Sequence, residues 1–172
     1  MSKSLTVLAA IAALAMPASA QGFYLDGGYQ FFTAEEDGID VDLGAVVGHA
    51  GYNFNEWFAL EGEAAIGVQD ETFNVLGTNV DVGLSYLVGA YARGNVPLGE
   101  RANLFARVGV VNAELDVSGG GFSDSASDTG MGYGAGGEFF FSDTVGVRGD
   151  YTRYDIEDLE ADAFTIAAVF KF

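Results

Sequence analysis

Two glutamates, Glu61 and Glu63, stand two positions apart in the stretch FALEGEAAIG and have the type and spacing for acid–base chemistry. On a β-strand they point to the same side, so they form a candidate pair for general acid–base catalysis. The single histidine, His49, is a candidate base or ligand. The sequence has no second histidine and no cysteine to complete a metal or nucleophile site around it.

Other enzyme motifs are absent from the sequence. There is no G-x-S-x-G nucleophile elbow, phosphate-binding loop or Ser-His-Asp arrangement. The run GMGYGAGG has the glycine content of a dinucleotide-binding motif, but it continues as an alternating strand pattern and opens no helix. We therefore predict that the protein is not an enzyme and has no catalytic residue, no cofactor and no metal site.

The net charge of the chain is strongly acidic, as in many water-soluble proteins, but its mean hydropathy is higher than such a charge would suggest. Its 7 Lys and Arg against 25 Asp and Glu give a net charge of -18. This balance excludes nucleic acid as a partner, because phosphate binding needs clustered basic residues. The mean hydropathy is nevertheless +0.22, with 14 Phe, 8 Tyr and 25 Gly. The absence of cysteine excludes a disulfide framework and a thiolate metal site.

Residues 1–20 have the layout of a secretory signal peptide: a lysine, an apolar run, and an Ala-x-Ala sequence that ends at Ala20. The apolar run is shorter than the roughly 20 residues that a membrane helix needs. Residues 21–172 are then predicted to form one domain, an outer-membrane β-barrel. No later stretch is long and apolar enough for a membrane helix, so a lipid-facing surface would have to consist of alternating strands.

Period-two alternation of apolar and polar residues recurs after the signal peptide and predicts eight strands. We place these strands at 22–32, 39–53, 57–69, 79–96, 102–116, 128–141, 144–155 and 161–172. Tight turns alternate with longer, more acidic segments, namely TAEEDGID, QDETFNVLGT, DVSGGGFSDSASD and YDIEDLEAD. This asymmetry is typical of outer-membrane barrels. The predicted fold is therefore all-β, an eight-stranded antiparallel up-and-down transmembrane β-barrel.

The two faces of the predicted strands differ in chemistry. In 57–69, Phe58, Leu60 and Ile66 share one parity, while Glu61 and Glu63 share the other. Because an eight-stranded barrel is just wide enough for side chains to fill it, the charged parity should form ion pairs inside. If these pairs exchange partners, a narrow water path would admit small ions. The predicted lumen charge network is Glu61, Glu63, Arg93, Arg107, Glu138, Arg148 and Asp150, with Asp26 and Asp81 on the same faces.

Three strands have special features. AVVGHAGY is apolar on both parities, so we expect a bulge there and place Val46 outward and His49 inward. In 79–96 the alternation places Leu84 and Tyr86 on the outward face. In 128–141, glycines at alternate positions leave volume inside the barrel for long side chains from other strands.

Large aromatic residues gather near the short-turn end of the predicted barrel. Aromatic rings favour the boundary between membrane and water, so we interpret the set as an interfacial girdle, although ordinary core aromatics are the alternative. The set is Phe23, Tyr52, Phe54, Trp57, Phe58, Phe139, Phe141, Phe170 and Phe172.

Together these features resemble the small outer-membrane β-barrel proteins of Gram-negative bacteria, of the OmpA transmembrane-domain, OmpX and porin-family type. The resemblance is carried by the signal peptide, the opening FYLDGGYQFF, the passage AGYNFNEWFALEGEAAIG and the terminal AVFKF. It implies location in the cell outer membrane, contact with its lipid and lipopolysaccharide, an internal Arg–Glu network, and insertion by the outer-membrane assembly machinery. In such proteins the machinery reads a terminal aromatic with alternating hydrophobic residues upstream, which corresponds here to Phe164, Ile166, Phe170 and Phe172.

The leading functional hypothesis is a non-enzymatic, monomeric outer-membrane protein with an envelope-integrity or surface-interaction role through acidic extracellular loops. The alternative is a low-conductance porin for small solutes or ions. An outer-membrane enzyme such as a lipid A deacylase would need a lipid-facing His-Ser pair, and none is recognisable. A soluble lipocalin-like barrel would reverse the two faces. Divalent cations are candidate partners of two acidic clusters, Glu35, Glu36, Asp37 and Asp40, and Asp155, Glu157, Asp158, Glu160 and Asp162.

Overall fold

The computed structural model describes residues 22–36, 39–69, 71–75, 78–119, 122–156 and 159–172. The predicted signal peptide, residues 1–20, lies outside them. No helix in the described ranges combines the length and the apolar character that crossing a membrane requires. The strands are β1 (Phe23–Glu36), β2 (Ile39–Asn53), β3 (Phe58–Gln69), β4 (Glu71–Val75), β5 (Thr78–Pro97), β6 (Ala102–Gly119), β7 (Phe122–Phe140), β8 (Val145–Ile156) and β9 (Leu159–Lys171).

The strands close into a barrel in which each pairs antiparallel with its neighbours. β3 and β4 both pair with β5, one after the other along its length, and together they occupy one strand position. The nine segments therefore form an eight-stranded barrel. The first and last strands pair from Tyr24 with Lys171 to Ala34 with Ala161. The Phe172 N–H then donates to the Phe23 carbonyl at 3.0 Å. Closure removes the exposed edge that an open sheet would present, and it confirms the predicted eight-stranded antiparallel β-barrel.

The two ends of the barrel differ in their connections. At the end where the chain enters β1, the turns are short and held by local hydrogen bonds: the Asn55 carboxamide oxygen accepts from the Trp57 and Phe58 N–H groups at 2.8 and 2.9 Å. At the other end the strands continue further than the alternation predicted. β6 and β7 pair as far as Gly119 and Phe122, so most of DVSGGGFSDSASD is strand and its interpretation as a loop was wrong. Continued pairing satisfies backbone groups that a loop would leave to water.

Burial alternates along β3 from Phe58 to Ile66 and decides which face is inside. Phe58, Leu60 and Ile66 are exposed, whereas Glu61 and Glu63 are 2% and 4% exposed. The outer wall is therefore apolar and the interior charged, which excludes the soluble lipocalin-like arrangement. At about 3.3 Å per residue and a tilt of about 40°, the exposed apolar run from Phe58 to Val68 covers about 25 Å, the height of a membrane-facing band.

Two irregularities change the register locally. One lies where AVVGHAGY begins: Gly44 pairs with Gln69 and Ala45 pairs with Gly67, so the extra residue is in β3 and not in β2, where a bulge was expected. The other lies between Leu84 and Tyr86 in the pairing of β5 with β6. Leu84 is buried at 8% exposed, so its predicted outward position was wrong. An extra residue shifts the side-chain alternation by one position, which turns Leu84 inward.

The glycines of β7 leave interior space that side chains from neighbouring strands occupy. A Cβ added to Gly132 would lie 2.7 Å from the Tyr91 hydroxyl oxygen. One added to Gly136 would lie 2.7 Å from the Phe105 ring. The predicted volume is thus filled by aromatic side chains of β5 and β6.

Candidate functional site

A buried cluster of charged side chains from seven strands crosses the barrel interior. Each member lies on the inward parity of its strand and is at most 7% exposed. Because these side chains cannot reach water, each must find its partners within the barrel. We call the cluster the ion-pair layer; it comprises Asp26, His49, Glu61, Glu63, Arg93, Arg107, Glu138, Arg148 and Asp150.

Glu61 of β3 is the centre of the ion-pair layer. Its Oε2 accepts from Arg93 at 3.1 Å and from the Tyr24 hydroxyl at 2.6 Å. Arg107 donates to Oε1 at 3.0 Å. Arg148 contacts both carboxylate oxygens, at 2.8 and 3.1 Å, in a bidentate pair. One carboxylate therefore joins arginines from β5, β6 and β8.

His49 bridges two carboxylates on adjacent strands. The register places Asp26 of β1 opposite His49 of β2, and His49 opposite Glu63 of β3. The His49 Nδ1 lies 2.5 Å from Asp26, and Nε2 lies 2.9 Å from Glu63. Each ring nitrogen therefore faces an acceptor, so His49 is held between acidic groups and has no nitrogen left for a ligand.

Every carboxylate of the ion-pair layer contacts at least one arginine. Glu61 and Glu63 also accept bonds from tyrosine hydroxyls, including one from Tyr154 to Glu63 at 2.7 Å. Removing one partner of such a buried pair leaves an uncompensated charge, at a cost of about 3–5 kcal/mol. The remaining N–O distances are 2.7 Å for Arg93–Glu138, 2.6 Å for Arg107–Glu63, 3.4 Å for Arg107–Asp150, 3.0 Å for Arg148–Asp26 and 2.5 Å for Arg148–Asp150.

Aromatic rings line the faces of the three buried guanidinium groups. The Phe105 ring centre lies 3.8 Å from Arg93 and 4.6 Å from Arg148. The Tyr91 ring centre lies 4.4 Å from Arg107. Cation–π contact strengthens when water is excluded, so these rings help to compensate the buried positive charge.

The structure brings together all seven residues that the sequence placed in the lumen charge network. It adds Asp26, which lay on the predicted inward face, and His49, which was predicted to face inward without a partner. The tyrosines that bond the carboxylates, Tyr24 and Tyr91 among them, were not singled out; their inward parity was the available signal. The side chain of Asp81 lies outside the described residues.

Apolar and aromatic side chains flank the ion-pair layer. Toward the short turns lies the lower apolar layer, Tyr24, Ala59, Phe140 and Val169. Toward the opposite end lies the upper apolar layer, which includes Phe32, Val47, Leu84, Leu87, Val111 and Ile156. Because Ala59 pairs with Arg93 and Val169 pairs with Asp26, the lower apolar layer borders the ion pairs directly. An ion crossing the barrel would have to separate the ion pairs and pass the upper apolar layer.

This arrangement gives no opening for the acid–base chemistry considered for Glu61 and Glu63. Both are buried and bonded to cationic and hydroxyl donors, so a substrate cannot reach them without opening the barrel. Among the described residues, no group of three or more His, Cys, Asp or Glu side chains is arranged to hold a metal ion.

The acidic clusters lie at the end opposite the short turns and are only partly described. Arg153 contacts Glu160 and lies 3.8 Å from Asp162, across β8 and β9. Asp155 is exposed. The side chains of the other predicted members, Glu35, Glu36, Asp37, Asp40, Glu157 and Asp158, lie outside the described residues.

Comparison with known proteins identifies the family. Residues 4–172 match the model of the outer membrane protein beta-barrel domain. The chain belongs to this family. No curated protein sequence matches it. As the family and its solved relatives indicate, the protein is an outer-membrane β-barrel located in the outer membrane.

Solved structures of outer-membrane barrels share the fold at low sequence identity. Ail, the attachment invasion locus protein of Yersinia pestis, solved with the heparin analogue sucrose octasulfate, is 22% identical with a TM-score of 0.68, covering 88% of this chain and 99% of Ail. Neisserial surface protein A is 14% identical with a TM-score of 0.70, covering 88% and 98%. The N-terminal barrel domain of Pseudomonas aeruginosa OprF is 16% identical with a TM-score of 0.59, covering 88% and 98%.

Proposed function

We propose that this outer-membrane barrel is a closed, non-enzymatic membrane scaffold with an envelope-integrity or surface-interaction role. The observation that carries the proposal is the ion-pair layer, which is buried inside the barrel and is followed by the upper apolar layer toward the end opposite the short turns. A barrel whose interior is occupied in this way anchors the extracellular strand ends rigidly. It offers neither an accessible catalytic group nor a polar channel.

The low-conductance porin is the competing function, and the upper apolar layer argues against it. Leu84, Leu87 and Val111 are inward and buried beyond the charged groups. Even if Arg148 exchanged carboxylate partners, an ion would still have to cross this apolar region, where transfer from water is costly.

Planar-bilayer recording on the purified barrel tests this proposal. We expect no steady, reproducible conductance step from the wild-type protein. A variant with Leu87→Ser and Val111→Ser, which makes the upper layer more polar, serves to reveal whether that layer limits ion entry. Steady unitary steps from the wild-type protein would contradict the closed scaffold and support the porin.

We infer that the surface-interaction role uses cations instead of anionic ligands. Ail is solved with a sulfated heparin analogue, but this chain has a net charge of -18. Its Arg153 is already engaged by Glu160 and Asp162. Acidic groups at this end would repel a sulfated glycan and would accept divalent cations that also bind lipopolysaccharide phosphates.

Binding to lipopolysaccharide measured with Mg²⁺ and with a chelator tests the cation role. We expect binding that requires Mg²⁺ and weakens when Asp155 and Asp162 are both changed to Asn. Equal binding after chelation would contradict it. Binding of sucrose octasulfate to this barrel would favour an anion-binding surface in its place.

We also propose that residues 1–20 are removed as a signal peptide and that Phe164, Ile166, Phe170 and Phe172 form the insertion signal. The support is their position: Phe164, Ile166 and Phe170 point outward from β9 and Phe172 follows its last residue, and all four side chains are exposed. N-terminal sequencing of the membrane-inserted protein tests the first proposal, which requires Gln21 as the first residue.

A further inference from the structure

The outer wall near the short turns carries a groove that the closed-scaffold function does not use. It has a volume of about 600 Å³ and is lined by Trp57, Phe58, Val96, Leu104 and Ala135, among others. A second depression of about 480 Å³ continues it along the wall and shares Phe58 and Gly94 with it. The groove exists because small residues on β5, β6 and β7 lie between large ones.

The position of the groove determines the chemistry of its surroundings. Trp57 lies beside the end of β5, since its carbonyl accepts from the Asn95 N–H at 2.8 Å. Val96 pairs with Leu104 across β5 and β6. The groove therefore begins at the short-turn boundary, where tryptophan is favoured, and runs into the apolar band. Its surroundings in the outer membrane are acyl chains.

Charged residues stand in the turns at the open end of the groove. Arg101 lies in the β5–β6 turn, directly beyond the Val96–Leu104 pair, and is exposed. The described part of the barrel contains five other Lys or Arg residues; three are in the ion-pair layer, Arg153 is paired with acids, and Lys171 lies 3.5 Å from the Phe140 ring centre. Arg101 is thus the cation available to a headgroup at this boundary. The same turn contains the exposed Glu100, and the exposed Glu56 lies in the turn that precedes β3, the strand paired with β5.

We propose that this groove binds one phospholipid whose headgroup carries both a phosphate and a primary ammonium group. An acyl chain lies over Gly94 and along Phe58, Arg101 binds the phosphate, and Glu56 or Glu100 accepts from the ammonium group. Mixed charge in the turns is the reason for this choice, because a purely anionic headgroup would meet two carboxylates beside one arginine. The proposal does not depend on the function proposed above.

Trp57 can serve as an intrinsic fluorescence probe of the groove, because it is the single tryptophan of the chain and lines the groove. The barrel is reconstituted in phosphatidylcholine vesicles that contain a minor fraction of lipid brominated on its acyl chains. Bromine quenches tryptophan on contact. The brominated lipid is phosphatidylethanolamine, phosphatidylglycerol or phosphatidylcholine in three parallel series, and the quenching gives its relative binding constant at Trp57.

We expect phosphatidylethanolamine to bind about threefold better than phosphatidylcholine, the scale of one exposed charge-assisted contact. Changing both Glu56 and Glu100 to Gln should remove this preference, because the carboxylates accept from the primary ammonium group. Arg101→Gln should instead weaken the binding of all three lipids, because each of them carries a phosphate. Gly94→Leu should reduce quenching by all three lipids, and it is sterically tolerated because a Cβ at Gly94 meets nothing within 4 Å. The matched control is Gly149→Leu on β8, where a Cβ is equally free, and it should leave both properties unchanged.

Three results would overturn the proposal. Equal quenching by the three lipids would show ordinary bilayer contact without a site. Stronger quenching by phosphatidylglycerol would show that an anion alone is recognised. Protection of Trp57 from every brominated lipid would show that a second copy of the barrel covers the groove. Heat-modifiable gel mobility establishes that each variant is folded before its quenching is compared.

Discussion

Replacing Glu61 with glutamine should cost about 3–5 kcal/mol of the free energy of unfolding, as expected for a buried ion pair that loses one partner. The amide keeps one acceptor oxygen and puts an NH₂ group in place of the other. At the Oε1 position that group would face Arg107 and Arg148. At the Oε2 position it would face Tyr24, Arg93 and Arg148. In either orientation the new NH₂ group would face N–H or O–H donors instead of accepting from them. The positive charge of the surrounding arginines would also lose part of its compensation.

Equilibrium urea unfolding from lipid vesicles measures this loss, with folded fraction read from heat-modifiable gel mobility. A loss of this size is a large part of the roughly 5–15 kcal/mol typical of a folded domain. Glu160→Gln is the matched control, because it removes the same charge from an exposed pair with Arg153. We expect its unfolding curve to overlay that of the wild-type protein. A Glu61→Gln curve that also overlaid the wild type would refute the central role of Glu61.

A double-mutant cycle separates the Glu61–Arg148 contact from general damage to the interior. Arg148→Met alone should be strongly destabilising, because Arg148 contacts Asp26, Glu61 and Asp150. In the Glu61→Gln background the same change should cost less, since the bidentate pair is already lost. Coupled residues typically deviate from additivity by about 0.5–3 kcal/mol. Strict additivity would mean that the two residues do not share an interaction.

Three further changes have distinct expected outcomes. Deleting Phe172 should reduce the heat-modifiable barrel in the outer-membrane fraction, whereas Phe141→Ser at the same end should assemble; normal assembly of the deletion would count against the insertion signal. Gly132→Leu should lower the folding yield in vesicles because a Cβ there already lies 2.7 Å from a tyrosine hydroxyl, and Gly149→Leu should not; equal yields would contradict this packing. His49→Gln should cost about 1–3 kcal/mol in urea unfolding, since both of its carboxylate partners keep an arginine; a larger loss than that of the Glu61 variant would make His49 the centre of the layer.

Alternation in the sequence was sufficient to predict the faces of most strands. Phe58 and Glu61 lie on opposite sides of β3 as their parity indicated, because a strand offers only two faces. Leu84 points inward, against its predicted parity, because the register shift beside it inserts one residue into the alternation of side chains. Gly83 beside Leu84 is a residue type found at bulges, but the chain contains 25 glycines, so this signal does not single out the position and the shift could not be predicted locally.

The membership of the interior network was easier to predict than its connections. Inward parity brought Glu61 and Arg148 to the same space, but their contact joins residues 87 positions apart. Which carboxylate meets which arginine depends on strand tilt and on the stagger between strands, and these are properties of the closed barrel. The place of His49 between Asp26 and Glu63 likewise required the register of three strands.

The pairing of β1 with β9 also sets the time at which the fold can be completed. Phe23 and Phe172 come from opposite ends of the described chain, and the backbone hydrogen bond between them lies where the first and last strands close the barrel. Until β9 is exported, β1 has no partner on that side and the interior arginine Arg148 lacks a finished enclosure. A chain interrupted before β9 would therefore carry two open strand edges, which favour aggregation. Such a fragment could not close the barrel, so we expect the completed fold to be confined to chains that include the final strand.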